Sequence, residues 1–135
     1  MNRLSDKEAI DLLKHGDILE LGQQANKIRQ EKHPGNTVTF IVDRNINYTN
    51  VCLNECRFCA FFRRENHKDA YLLPIETILQ KVKETQEAGG TQIMLQGGLH
   101  PSLPFEYYLN MINTIKTVFP DIVIHSFSPA EILHF

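Results

Sequence analysis

The chain has 135 residues, a formal net charge of -2 and 42% hydrophobic residues, which is typical of a soluble globular domain with one modest core. The near-neutral charge gives no electrostatic reason to expect nucleic acid or an anionic membrane as a partner. No apolar stretch approaches the roughly 20 residues that cross a bilayer, and the polar start lacks the apolar core of a signal peptide. We therefore expect a cytoplasmic protein.

The first 36 residues predict two helices. Ser5 and Glu8 have the spacing of a capping box, in which each side chain binds the other's free backbone amide; Gly16 follows as a terminator. A helical period of apolar and small residues comes next, with one face made of Ile18, Leu21, Gly22, Ala25 and Ile28. Turn-forming residues at 33–36 close the segment. We predict an N-terminal helical segment over residues 1–36.

Three apolar segments after residue 36 predict β-strands. The first, residues 37–42, is rich in β-branched side chains, as expected of a strand buried on both faces. The second and third are residues 91–95 and 122–127. A long irregular stretch that contains every cysteine separates the first strand from the second.

Two helices lie between these strands. One begins at Pro74 and ends at Gly89. The other begins near Pro104, and its predicted inward face consists of Phe105, Tyr108, Leu109, Ile112 and Ile115. Alternating strands and helices imply right-handed crossovers and a parallel sheet, an α/β fold. A closed (β/α)₈ barrel takes about 250 residues, so we expect residues 37–135 to be the first three βα units of a barrel, the N-terminal half of a larger protein.

The three cysteines lie within eight residues, in a C-x₃-C-x₂-C arrangement after the first strand: Cys52, Cys56 and Cys59. An odd, clustered number argues against a disulfide framework and for metal or redox chemistry. Four thiolates complete a 4Fe-4S cluster, so three would leave one iron open to an amine and a carboxylate. The alternative is a zinc site of a non-enzymatic module, in which His67 would complete a Cys₃His set.

Polar and glycine residues follow the other strands. Gly97 and Gly98, directly after the second strand, would allow close approach of a ligand to the backbone, although a plain tight turn is an alternative. Four residues near the strand ends are candidates to line a substrate cavity: Tyr48, His125, Ser128 and Glu131. Ordinary polar strand ends would produce the same pattern.

The C-x₃-C-x₂-C motif with Phe58 before its last cysteine resembles the radical S-adenosylmethionine superfamily. Residues 43–52, 59–61, 96–101 and 125–132 are similar to one branch, which makes menaquinone by the futalosine route and the deazaflavin of coenzyme F420. Within that branch, residues 91–98 most resemble cyclic dehypoxanthinyl futalosine synthase. Aminofutalosine synthase and the deazaflavin synthase subunit are the alternatives.

The resemblance implies two cofactors. The three cysteines would hold a 4Fe-4S cluster, and S-adenosylmethionine would lie against Phe58, Gln96, Gly97 and Gly98. An electron from the cluster would release a 5′-deoxyadenosyl radical, which would start the cyclisation of dehypoxanthine futalosine, a nucleoside-derived small molecule. The resemblance does not identify a catalytic base, and an inactive truncated product is a further alternative.

The cysteine loop is also basic. Its cations could attract an acidic electron donor such as flavodoxin or ferredoxin; a merely solvated surface would look the same. The four residues are Arg57, Arg63, Arg64 and Lys68.

Overall fold

The computed structural model describes residues 3–135, which divide into two compact units, one extending to Thr39 and the other comprising Phe40–Phe135. The first unit contains helices α1 (Asp6–His15) and α2 (Ile18–Lys32). The predicted capping box is present: the Ser5 backbone N–H donates to the Glu8 carboxylate at 2.8 Å, and the Glu8 N–H donates to the Ser5 hydroxyl. Both predicted helices are confirmed.

The helices of the first unit bury no residue. On α2 the side chain of Ile18 is 80% exposed and that of Ile28 is 38% exposed, so the predicted apolar face is not packed into a core. Within residues 3–135, no helix combines the length and the apolar character needed to cross a membrane.

The second unit is built on a parallel sheet of three strands in the order β1 (Asp43–Ile46), β2 (Gln92–Leu95), β3 (Val123–Ser126). Helices α3 (Ile75–Glu87) and α4 (Phe105–Val118) connect the strands, and α5 (Pro129–His134) follows β3. Both strand pairs are parallel, which confirms the predicted α/β fold with a parallel sheet.

The predicted first strand is wrong. Residues 37–42 form no strand, and their apolar side chains are open to solvent, with Val38 76% and Phe40 88% exposed. Strand β1 is formed instead by the polar segment that follows, residues 43–46. There the backbone pairs with β2, and Asp43 lies opposite Gln92. Composition alone misplaced the strand, since pairing with a distant segment decides which residues join a sheet.

Helices α3 and α4 pack on one face of the sheet. The core combines side chains of the sheet, the two helices and their connecting segments: Ile46, Tyr48, Ile78, Val82, Ile93, Leu95, Tyr108, Met111, Ile115 and Ile122. The predicted inward face of α4 is correct for Tyr108 and Ile115 but wrong for Phe105 and Leu109, which are 50% and 46% exposed. Helix α4 contacts the core along a narrower stripe formed by residues 108, 111 and 115, so Met111 is buried.

Ile93 tests this core, because its side chain is fully buried at the centre of β2. We expect Ile93→Ala to reduce the free energy of unfolding by about 2–5 kcal/mol, through lost burial and the cavity left behind. Val123→Ala is the control, since Val123 is 55% exposed and should change stability by only about 0.5 kcal/mol. Urea unfolding followed by circular dichroism measures both. Equal losses in the two variants would contradict this assignment of the core.

Candidate functional site

The loops that follow the three strands meet at one edge of the sheet, because parallel strands end on the same side. They enclose a cavity of about 230 Å³. The loop after β1 contributes Asn47, Thr49, Asn50, Cys52, Cys59, Phe61, Phe62 and Tyr71; the loop after β2 contributes Gln96, Gly97 and Gly98; the segment after β3 contributes Ser128 and Glu131.

Backbone hydrogen bonds hold the cysteine loop in place. The Cys52 N–H donates to the Arg63 carbonyl at 3.1 Å, and the Leu53 N–H donates to the Leu99 carbonyl at 3.0 Å. The first bond closes the loop on itself, and the second joins it to the loop after β2. Between the first two cysteines the chain turns through Glu55, whose φ of 43° lies in the left-handed region. The Cys59 N–H donates to the Cys56 carbonyl at 3.0 Å and makes a second turn.

The three thiols are free and half-buried, and those of Cys52 and Cys59 line the cavity. Across residues 3–135, no three His, Cys, Asp or Glu side chains are gathered into a metal-binding set. The donor chemistry nevertheless fits an iron–sulfur cluster, because three unpaired cysteines on one short loop at the edge of a cavity are soft thiolate ligands.

The zinc alternative has less support. The ring Nδ1 of His67 accepts the backbone N–H of Asp69 at 3.1 Å within a local turn. His67 does not line the cavity that Cys52 and Cys59 share. The side chain proposed as a fourth zinc ligand is therefore engaged in its own loop.

Gly97 and Gly98 lie directly against the loop after β1. A Cβ atom on Gly97 would lie 2.3 Å from Cζ of Tyr48, and one on Gly98 would lie 2.1 Å from the carbonyl oxygen of Val51. The Gly98 N–H donates to the Thr49 carbonyl at 3.0 Å. The absence of a side chain at both positions is thus already required by packing within the protein, independently of any ligand.

Tyr48 lies beneath this glycine pair and not in the cavity wall. Its side chain is fully buried, and its ring meets those of Tyr108 and Phe127 edge to face. The hydroxyl donates to Oε1 of Glu131 at 2.6 Å. Burial, and after it the hydrogen bond to Glu131, raises the pKa of Tyr48 well above its usual range, so the phenol remains a neutral donor.

Glu131 is 1% exposed and lies at the wall of the cavity. Its Oε1 accepts the Gly97 N–H at 2.9 Å as well as the Tyr48 hydroxyl, and its Oε2 accepts the Ser128 N–H at 2.7 Å. Ser128 is the N-cap of α5 and its hydroxyl accepts the Glu131 N–H. Hydrogen bonds from the protein itself thus occupy the carboxylate of Glu131, which the sequence suggested as a substrate-binding group. The missed signal was the S-x-x-E spacing of a second capping box.

Of the candidate residues Gln96, Phe58 and His125, only Gln96 lines the cavity. Gln96 lines the cavity, and its carbonyl accepts the Asn47 side-chain amide at 3.0 Å. Phe58 is 92% exposed and His125 is exposed on β3, and neither lines the cavity. The structure therefore brings Gln96, Gly97 and Gly98 together with two of the cysteines but leaves Phe58 and His125 outside.

The basic residues of the cysteine loop differ in their roles. Arg64 donates to both carboxylate oxygens of Glu55, at 2.7 and 3.1 Å, and this hydrogen bond lowers the pKa of Glu55. Arg63 donates to the carbonyl of Phe62 at 2.7 Å and so stiffens the loop. Arg57 and Lys68 are exposed.

The chain is similar to one protein superfamily and to several curated proteins. The profile of the Radical SAM superfamily matches residues 46–133. A protein of Halalkalibacterium halodurans named cyclic dehypoxanthine futalosine synthase is 46% identical over 96% of this chain and 35% of its own length. A protein of that name from Streptomyces coelicolor is 42% identical over 98% of the chain and 34% of its own length.

A relative with a different name is comparably similar. The 5-amino-6-(D-ribitylamino)uracil–L-tyrosine 4-hydroxyphenyl transferase of Methanopyrus kandleri is 52% identical over 73% of this chain and 27% of its own length. The chain thus spans between about a quarter and about a third of the length of these curated relatives.

The tight contact at Gly97 generates a stability prediction. A methyl group there would meet the ring of Tyr48, so we expect Gly97→Ala to reduce the free energy of unfolding by about 1–3 kcal/mol. Gly22→Ala on α2, where nothing lies within 4 Å of the added Cβ, is the control and should stabilise by about 0.5–1 kcal/mol. Thermal and urea unfolding provide the comparison; an alanine tolerated at 97 as well as at 22 would refute the contact.

Proposed function

This chain belongs to the Radical SAM superfamily, and from that membership we propose that Cys52, Cys56 and Cys59 hold a 4Fe-4S cluster that acts on S-adenosylmethionine. The observation that carries the proposal is the placement of free thiols and a glycine pair on one cavity, from two successive strand ends. With both groups bound and one electron supplied by an external reductant, the site would provide radical chemistry that abstracts hydrogen from the substrate.

Other residues of the chain would bind the cofactor and exclude water from the site. Gln96, Gly97 and Gly98 offer backbone to the methionine part of S-adenosylmethionine, at the wall that faces Cys52 and Cys59. Three aromatic side chains on the opposite loop would shield a reactive radical from water: Phe61, Phe62 and Tyr71. Phe58, which is exposed on the cysteine loop, would pack against the cofactor once it is bound.

For the reaction, we propose cyclisation of dehypoxanthine futalosine in menaquinone biosynthesis. This is supported by the Halalkalibacterium and Streptomyces relatives, which align with 96% and 98% of the chain. The second candidate is 4-hydroxyphenyl transfer from tyrosine to 5-amino-6-(D-ribitylamino)uracil, as part of deazaflavin synthesis. It is favoured by the higher identity, 52%, of the Methanopyrus protein, over a shorter alignment.

An electron donor completes the proposal. Arg57 and Lys68 are exposed on the cysteine loop, and exposed cations next to a redox centre attract an acidic protein such as flavodoxin or ferredoxin. The expected setting is the reducing cytoplasm, where free thiols persist.

The cluster proposal is tested by anaerobic reconstitution of the chain with iron and sulfide. We expect a brown protein with iron and labile sulfide in equal amounts, and loss of both in Cys56→Ser. His67→Ala is the matched control and should retain the cluster, because His67 is engaged with Asp69. A colourless protein that binds zinc, and loses it in His67→Ala, would establish the zinc site instead.

The reaction is tested by offering each candidate substrate to the reconstituted chain under reductant. We expect 5′-deoxyadenosine to form faster with dehypoxanthine futalosine than with tyrosine and 5-amino-6-(D-ribitylamino)uracil, as measured by liquid chromatography and mass spectrometry. The reverse preference would select the transferase. A reconstituted protein that forms no 5′-deoxyadenosine with either substrate would support the inactive product.

A further inference from the structure

We propose that Glu131 is a positioning residue: its buried carboxylate fixes the Gln96–Gly97 peptide, at the start of the glycine pair, in the orientation that S-adenosylmethionine requires. The inference rests on the proposed function, since that assigns the segment to the cofactor. It gives Glu131 a role beyond the capping of α5.

The carboxylate joins the three strand-end loops. Oε1 accepts the hydroxyl of Tyr48 at 2.6 Å, from the loop after β1, and the N–H of Gly97 at 2.9 Å, from the loop after β2. Oε2 accepts the N–H of Ser128 at 2.7 Å, from the segment after β3. Capping of α5 requires only the bond to Ser128. The other two bonds reach Tyr48 and Gly97, which lie 83 and 34 positions away in the chain.

The peptide group between Gln96 and Gly97 is held at both of its polar atoms. Its N–H donates to Glu131, and its carbonyl accepts the side-chain amide of Asn47 at 3.0 Å. Two hydrogen bonds in opposite directions restrict rotation of this peptide plane, which the adjacent Gly97 would otherwise leave freer to turn. The bond to Glu131 is the stronger one, because its acceptor carries a charge.

The same arrangement decides which atoms the glycine pair presents. The N–H groups of Gly97 and Gly98 are taken by Glu131 and by the Thr49 carbonyl. Their own carbonyls accept no hydrogen bond from residues 3–135 outside regular secondary structure. The segment therefore offers acceptors, which suits a ligand with an ammonium group. Without the Glu131 bond, the direction of the Gly97 carbonyl would be held only through the Gly98 N–H bond to Thr49.

The positioning role is tested with Glu131→Gln in the full chain, reconstituted anaerobically. Glutamine has nearly the same shape but replaces one carboxylate oxygen with a donor, so it cannot accept at both ends. The matched control is Glu8→Gln, which alters the same kind of capping box on α1 in the other unit. The probe is S-adenosylhomocysteine, which has the amine and carboxylate of the cofactor but no sulfonium bond to break.

We expect the dissociation constant of S-adenosylhomocysteine to rise about tenfold or more in Glu131→Gln, as for the loss of one charge-assisted hydrogen bond. Iron and sulfide content should stay at the wild-type level. In the cluster-free chain, the Gly97 amide proton should move upfield in the NMR spectrum. Tyr48→Phe should weaken binding in the same direction, and Glu8→Gln should leave affinity and the Gly97 resonance unchanged.

An unchanged dissociation constant in Glu131→Gln would overturn the inference, even if the variant unfolds more easily, because Glu131 would then only cap α5. If Glu131→Gln does not fold, Tyr48→Phe becomes the test of the positioning role. Wild-type affinity for S-adenosylhomocysteine in Tyr48→Phe would then overturn the inference. A wild-type chain that holds a full cluster yet binds no S-adenosylhomocysteine would instead contradict the cofactor proposal, and this inference with it.

Discussion

The arrangement of the site depends on one charge buried among protein donors. A carboxylate that is 1% exposed loses its hydration, and the loss is tolerated only where hydrogen bonds replace the water. Glu131 obtains them from a phenol and two backbone amides, each on a different strand-end loop. Because those donors come from three loops, the bonds that offset the cost of burial also set the distances between the loops.

The glycine pair shows how packing and ligand recognition constrain the same positions. Tyr48 and Val51 occupy the space in which side chains at 97 and 98 would lie, so glycine is needed for the loops to close at all. The exposed backbone that results is what a small polar ligand can reach. A structural requirement thus creates the surface that the proposed function uses.

Much of this fold could be predicted from sequence, because many of its signals are local. The capping box of α1, the ends of α3 and α4 and the alternation of strands and helices all depend on residues close together in the chain. The first strand was misplaced, since pairing with β2 is not a local property. At the site, the motif places Cys52 and Cys59 on the cavity with Gly97, but no local signal indicates that Glu131 reaches Gly97 and Tyr48.

The separation of 83 positions between Tyr48 and Glu131 affects the order in which the protein can mature. Contacts that close long loops form late, because chain entropy is lost before the contact is made. A chain emerging from the ribosome presents its three cysteines well before Glu131 is synthesised. Until then the three strand-end loops lack the carboxylate that joins them. The proposed cluster would therefore meet joined strand-end loops only after residue 131 has been synthesised.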